Sequence, residues 1–276
     1  MSEPRRLAVL GSPISHSKSP ALHRAAYERL GLPWQYTAIE MDGLRLGEFI
    51  GGLDASWRGL SLTMPLKQDV LPLLDALDDV AAATGAANTV LLDEGGRRGF
   101  NTDVGGIVRT LREAGVHEVS RGVLLGGGAT AASTLVAMSE LGAREVRVLV
   151  RRPGSAAALV GIGSRLGIQV EEGGLAELAI DRPAELVVST VPGGTDLGVE
   201  ASAELIASAA LLDVAYDPWP TPLAAGWLAG GGTVVHGLGM LLHQALLQVR
   251  IFVNGHPTAP LDDEDAVLDA MRAAVS

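Results

Sequence analysis

The chain has 276 residues, 47% hydrophobic and 19% charged, a balance that argues against disorder and allows one large core or two modest ones. It carries a net charge of −11, no cysteine and no Lys/Arg run longer than the pairs Arg5-Arg6, Arg97-Arg98 and Arg151-Arg152. Nucleic-acid and anionic-membrane partners are therefore not expected, and disulfides, thiolate catalysis and cysteine-bound zinc are excluded. The histidines show neither HxxxH nor HExxH spacing, the N-terminus lacks a signal-type apolar stretch, and no run of about 18 apolar residues exists to span a bilayer, so no metal site is expected and a cytoplasmic location is.

In chain order the pattern alternates short β-branched or leucine-rich runs with helical stretches: RLAVLG, SPALHRAAYERLG, WQYTAIEM, LRLGEFIGGL, RGLSLT and PLKQDVLPLLDAL. That alternation predicts βα units feeding a parallel sheet. VGGIVRTLREAG, after Asp103, reads as a bridging helix. A second series follows: the strand VLLG, the helix ATAASTLVAMSELG, the strand EVRVLVRR, the helix AAALVGIGSRLG, then ELVVST and ALLDVAY. LGMLLHQALLQVRIFVNG and DEDAVLDAMRAAV have no strand between them, so they cannot extend the second sheet and are expected to pack back on the first domain. The predicted division is one domain from 1–104 and 237–276, and another from 105–236.

Residues 122 to 131, GVLLGGGATA, place Gly126, Gly128 and Ala131 in the spacing G-x-G-x-x-G/A, between a buried-type strand and a helix. The first glycine allows a tight turn, the second lets backbone approach a pyrophosphate, and the small third residue lets the helix pack on the strand. Unpaired N–H groups at the helix start then face the phosphates. An NAD-binding strand is expected to end, about 20 residues on, in an acidic residue for the ribose hydroxyls. Here that strand runs into Arg151 and Arg152, which suit a 2′-phosphate, so NADP(H) is the expected coenzyme.

In the front half, Ser17 and Ser19 stand beside a helix start marked by Pro20, with Ser19 as the expected N-cap. Together they could cradle a carboxylate, where a cap alone needs a single hydroxyl. In LSLTMPLK, Thr63 ends a strand and Pro65 is expected to open a helix, placing Lys67 in its first turn. An amine at the positive end of a helix dipole tends toward a lowered pKa. Asp103 closes GFNTD just before the bridging helix, where capping is the plain alternative. Reduction of a ketone leaves an alkoxide that must be protonated, and a lysine oriented by a carboxylate can serve both directions.

The blocks GSPISHSKSPALH, LSLTMPLK, GAANTV, GFNTD, LLGGGATAA, the arginine-ended strand, LLDVAYDPWPTPL and GLGMLLHQAL occur in this order along nearly the whole chain. Together they resemble the shikimate dehydrogenases. The resemblance implies an α/β protein with an N-terminal substrate domain, a Rossmann-like NADP domain and the active site in the cleft between them. The implied activity is the reversible NADPH-dependent reduction of 3-dehydroshikimate to shikimate, on the route to chorismate and the aromatic amino acids, by a monomer or homodimer. Lys67 and Asp103 would form the catalytic pair. Ser17 and Ser19, with Tyr216 nearby, would hold the substrate carboxylate, and Thr63, Asn88, Asp103 and Gln244 would contact the ring hydroxyls. Gly126, Gly127, Gly128, Ala129 and Thr130 would cradle the pyrophosphate, with Arg151 and Arg152 at the adenosine end. Ser189, Thr190 and Val191 would form the ribose and nicotinamide wall, and Gly237 and Met240 would line the nicotinamide pocket.

The chain departs from the family pattern in places. Ser61 stands where many members have Asn, Gly127 where alanine is usual, Thr130 where alanine is frequent, and Arg151-Arg152-Pro153 where Asn-Arg-Thr/Ser is common. Val249 and Phe252 stand where an aromatic and a Trp are expected. A quinate/shikimate dehydrogenase using NAD and a non-catalytic sensing relative are the rival readings; the arginine pair speaks against the first, and Lys67 with Asp103 against the second.

Overall fold

The computed structural model describes residues 3–180 and 182–275. The chain separates into two compact units, one running up to Thr102 and resuming at Leu241, the other spanning Asp103–Met240. The sequence reading divides the chain at 104/105 and 236/237. The earlier front boundary has a local cause, since one uninterrupted helix starts at Asp103. At the back, the division falls inside a continuous 18-residue helix, Gly237–Asn254.

The first unit contains β1 (Arg6–Gly11), α1 (Ser19–Arg29), β2 (Gln35–Glu40), α2 (Gly43–Gly51), β3 (Trp57–Leu62), α3 (Leu66–Asp69), β4 (Ala76–Leu77), α4 (Asp79–Thr84), β5 (Thr89–Asp93) and β6 (Gly96–Phe100). Its sheet has the order β2-β1-β3-β5-β6-β4. β1 pairs in parallel with β2 and β3, but β5 runs antiparallel to both β3 and β6. The sheet is thus mixed, not wholly parallel as the alternating pattern predicts. The cause is local: Asp93-Glu94-Gly95-Gly96 turns the chain straight back, with Gly95 N–H donating to Asp93 (2.9 Å), and a tight hairpin leaves no room for the crossover that parallel pairing requires. PLKQDVLPLLDAL likewise forms only the four-residue α3, a 3-10 turn at Leu71–Leu73 and the short β4. Pro72 cannot continue an α-helix. One face of the sheet buries Leu10, Leu60, Leu62, Leu66, Val70 and Val90 with Leu46 and Ile50 of α2.

The second unit holds α5 (Asp103–Glu113), β7 (Arg121–Leu125), α6 (Ala129–Glu140), β8 (Glu145–Val150), α7 (Ala157–Leu166), β9 (Gln169–Gly174), β10 (Leu186–Ser189), α8 (Ala203–Ser208), β11 (Ala210–Asp213), α9 (Pro222–Ala229) and β12 (Val234–His236). Every strand pairing in it is parallel, in the order β12-β11-β10-β7-β8-β9. Numbered within the unit, this is the 3-2-1-4-5-6 order of dinucleotide-binding sheets, whose direction of winding reverses between the first and fourth strands, here β7 and β10. Fully buried Val123, Leu125, Leu149, Val187 and Leu211 form the centre, as expected of strands covered on both faces.

α10 (Gly237–Asn254) and α11 (Glu264–Ala273) complete the helices. α11 packs on α1. The later part of α10 lies over β3, where Phe252 occupies the space above Gly59 and its carbonyl accepts from Arg58 Nε (2.7 Å).

Candidate active site

In the first unit, β1 and β3 are parallel neighbours, so the loops leaving their carboxyl ends emerge side by side. Because β5 runs the other way, its beginning joins that edge, and the end of β6 returns to it. The edge therefore gathers Ser17 and Ser19 after β1, Thr63 and Lys67 after β3, Asn88 before β5 and Thr102 after β6. Ser19 is the first residue of α1, one position inside the expected N-cap, and its N–H donates to Ser17 Oγ (3.3 Å). Glu40, ending β2, holds the preceding turn by accepting from Ser12 Oγ (2.6 Å) and Ile14 N–H (3.1 Å).

Pro65 caps α3 from just outside it, which leaves Lys67 in the first turn as expected. Lys67 is a lysine with only 9% exposure, unusual for that residue type. Its carbonyl accepts from Ala87 N–H (2.8 Å), tying it to the segment that leads into β5 through Asn88, whose own carbonyl accepts from Leu62 N–H (2.8 Å). Asn88 is buried, and its Nδ2 donates toward Gln244 Oε1 of α10 (3.4 Å). Five segments thus bring Ser17 and Ser19, Thr63 and Lys67, Asn88, Thr102 and Gln244 to one sheet edge.

In the second unit, Asp103 begins α5 and is buried. The dinucleotide loop leaves β7 at the point where the winding reverses. Gly126 has φ +109°, and a side chain there would meet Thr190 Oγ1 at 2.5 Å. Thr190 holds that position by donating its N–H (2.9 Å) and hydroxyl (2.8 Å) to the Leu125 carbonyl. At Gly127 an added Cβ would lie 2.5 Å from the Ser155 carbonyl, so an alanine, usual in the family that the sequence resembles, would collide here with the arginine-bearing turn. Gly128 caps the 12-residue α6 without any side-chain acceptor. Ala129 and Thr130 open that helix, half-buried.

A cleft of about 390 Å³ is lined by Gly126, Gly127, Gly128, Arg151, Arg152 and Val191, together with Ser155, Leu175 and Asp196. Arg151 and Arg152 are exposed on its rim. The residues fit NADP(H): a side-chain-free loop at a helix start for the pyrophosphate, and two guanidiniums for a 2′-phosphate. Ser189 ends β10 with its side chain fully buried, so of the expected 189–191 wall it is Val191 that faces this cleft. Tyr216 lies half-buried in the loop after β11. Gly237 and Met240 are buried in the first turn of α10.

Two positioning residues escape sequence reasoning. Glu172 of β9 accepts from Gly154 N–H and from Ala156 N–H (3.0 Å), fixing the turn that follows Arg151-Arg152. Its strand, QVEEGG, has no hydrophobic pattern by which to find it. Asp213 accepts from Ala215 N–H (3.2 Å) and Thr221 Oγ1 (2.5 Å), so it closes the loop bearing Tyr216, and burial pushes its carboxyl pKa up. Among the described residues no cluster of His, Asp and Glu could hold a metal ion, and no helix is long and apolar enough to cross a membrane.

The profile of the shikimate dehydrogenase substrate binding domain matches residues 9–90. A shikimate dehydrogenase (NADP(+)) of Synechococcus sp. (strain JA-2-3B'a(2-13)) is 36% identical over 266 residues, covering 91% of this chain and 90% of that protein. The chain belongs to the shikimate dehydrogenase family. Another member, from Methanothermobacter thermautotrophicus and also a shikimate dehydrogenase (NADP(+)), is 33% identical over 94% of both chains. The crystal structure of Mycobacterium tuberculosis shikimate dehydrogenase superposes with a TM-score of 0.82 at 39% identity, covering 98% of this chain and 100% of that one. That of the Thermus thermophilus enzyme, solved in complex with NADP(H) and shikimate, gives a TM-score of 0.81 at 31% identity, covering 98% and 99%.

Proposed function

We propose that this chain catalyses the NADP-dependent interconversion of shikimate and 3-dehydroshikimate, with Lys67 as the proton-transfer group and Asp103 as its partner. The chain is an oxidoreductase acting on a CH–OH group, and its product feeds the synthesis of chorismate and the aromatic amino acids. The observation that carries the residue assignment is the polar edge of the first unit, where buried Lys67 and Asn88 stand with Thr63, Ser17, Ser19 and Gln244.

NADP(H), when bound, supplies or takes up the hydride. In reduction, the carbonyl carbon at C3 gains that hydride, and its oxygen takes a proton from the Lys67 ammonium. In oxidation the neutral Lys67 amine accepts the hydroxyl proton while the C3–H leaves as hydride. Asp103 accepts a hydrogen bond from the neighbouring ring hydroxyl and orients Lys67 for the proton transfer. Ser17 and Ser19, with Tyr216, hold the carboxylate. Thr63, Asn88 and Gln244 orient the ring, and Asn88 and Gln244 do so from buried positions that limit their freedom. Gly126 to Thr130 hold the pyrophosphate, Arg151 and Arg152 the 2′-phosphate end, and Thr190 and Val191 with Gly237 and Met240 the nicotinamide end.

The front unit is the substrate domain and the middle unit the coenzyme domain. The enzyme works in the cytoplasm on small molecules, as a monomer or homodimer, without nucleic-acid or membrane partners. The test is absorbance at 340 nm with wild-type protein, NADP⁺ and either shikimate or quinate. Shikimate should be oxidised with at least about tenfold higher kcat/KM than quinate. Equal use of quinate would replace this reading with the broader quinate/shikimate activity, and no turnover of either would reject it.

A further inference from the structure

Gln248, one helical turn beyond Gln244 on α10, is buried and makes four hydrogen bonds inside the first unit. Its Oε1 accepts from Ser61 Oγ (2.8 Å) and lies 3.1 Å from His23 Nε2. Its Nε2 donates to the Asn88 carbonyl (3.1 Å) and to Thr89 Oγ1 (3.0 Å). The direction of this set is fixed by one member. The Asn88 carbonyl can only accept, so the Gln248 amide must turn its NH₂ toward it. The amide oxygen is then left facing Ser61 and His23, so His23 carries its proton on Nε2. His23 Nδ1 in turn accepts from Tyr27 OH (3.1 Å). The ring is held flat against Tyr36, at 3.9 Å between centroids and 5° between planes. Burial lowers the His23 pKa to about 3, which keeps the ring neutral and its single N–H in place.

The order continues to Asn88. Thr89 Oγ1 accepts from Gln248, so its own proton is available for Asn88 Oδ1 (2.9 Å). Thr102 N–H also donates to that oxygen (2.9 Å). Thr102 Oγ1 stands 2.9 Å from Asn88 Nδ2 and 3.1 Å from Oδ1, and therefore does not by itself choose between the two ends of the amide. Two donors on Oδ1 force Nδ2 to the other side, toward Gln244 Oε1 (3.4 Å).

We infer that Gln248 and Thr89 are positioning residues: they hold the Asn88 amide with its NH₂ presented as a donor to a ring hydroxyl. This rests on the reading of Asn88 as a substrate contact. Neither Gln248 nor Thr89 touches substrate; each acts through the orientation of Asn88. An Asn88 free to rotate would offer a hydroxyl donor or acceptor indifferently, and substrate binding would weaken while the proton and hydride steps stayed intact.

Thr89→Val keeps the shape of the side chain and removes the hydroxyl, and Thr89→Ser keeps the hydroxyl. Steady-state kinetics at 340 nm should show the KM for shikimate raised roughly five- to tenfold in Thr89→Val, with kcat and the KM for NADP⁺ within about twofold of wild type. Thr89→Ser should return the shikimate KM to within about twofold. In an Asn88→Ala background, Thr89→Val should add no further rise, because the group it orients is gone. Thr89→Ala serves in the same comparison if the valine variant does not fold. A shikimate KM unchanged by loss of the hydroxyl, or a further rise of equal size without Asn88, would overturn the inference. Wild-type protein inactive on shikimate would instead sink the functional reading, so the two failures are distinct.

Discussion

In the unit built on β1 to β6, the groups expected to meet the substrate are side chains, and they stand on a mixed sheet whose reversed strand β5 brings Asn88 to the edge shared by Thr63 and Lys67. In the unit built on β7 to β12, the expected phosphate contact is backbone, presented by three glycines where an all-parallel sheet changes its direction of winding. The difference shows in what supports each site. Side-chain donors need a second layer of hydrogen bonds to fix their orientation, and the first unit provides it in Gln248, Thr89 and Thr102. A backbone loop needs residues without side chains, and the second unit enforces this by packing Thr190 and Ser155 where side chains at Gly126 and Gly127 would project.

Variants should therefore fail in different ways according to the unit they strike. The largest effect is expected at Lys67: replacement by alanine should lower kcat by about 10²- to 10⁴-fold while shikimate, followed by calorimetry, still binds. Activity kept within a few-fold would remove Lys67 from proton transfer and blur the contrast, since the first unit would then hold no reacting group. Gly126→Ala should raise the KM for NADP⁺ by at least about tenfold and leave the shikimate KM near wild type, because a positive φ and a 2.5 Å contact oppose any side chain there.

Arg151→Ala with Arg152→Ala should cost roughly ten- to a hundredfold in kcat/KM for NADP⁺ and little for NAD⁺, the range expected for charge-assisted bonds to a phosphate. Loss of both coenzymes alike would mean that the pair supports the fold and not the 2′-phosphate.

The last effect is on stability and leaves activity near neutral pH untouched. His23 has its pKa lowered from 6.5 to about 3 by burial, so below about pH 6.5 the unfolded chain binds a proton that the native protein refuses. Stability from this group is complete above that value and declines by up to about 1.4 kcal/mol per pH unit as the pH falls toward 3. The raised carboxyl pKa values of Asp78 and Asp213 act with the opposite sign. Denaturant titrations between pH 4 and 7 should show a shallower pH slope in His23→Gln than in wild type.

What could be read from the chain alone follows the same contrast. The second unit's loop, its arginine-ended strand and its flanking helices are local signals, written within about thirty consecutive residues, as is usual for a βαβ phosphate-binding motif. The polar strand β9, and Glu172 within it, left no periodic trace. In the first unit the functional residue types were legible as motifs, but their support was not: Gln248 is 160 residues from the Asn88 it steadies, and nothing near either position signals the pairing. The reversal of β5 was masked by the regular alternation around it, and Pro72 cut short a helix whose apolar spacing looked intact.

The most direct measurement is transfer of the isotope itself. Shikimate deuterated at C3, incubated with NADP⁺ and the wild-type protein, should yield deuterium on the nicotinamide ring by NMR together with 3-dehydroshikimate, and the Lys67→Ala protein should do so far more slowly. Label retained on shikimate, or lost to water without appearing in the coenzyme, would contradict hydride transfer from that carbon.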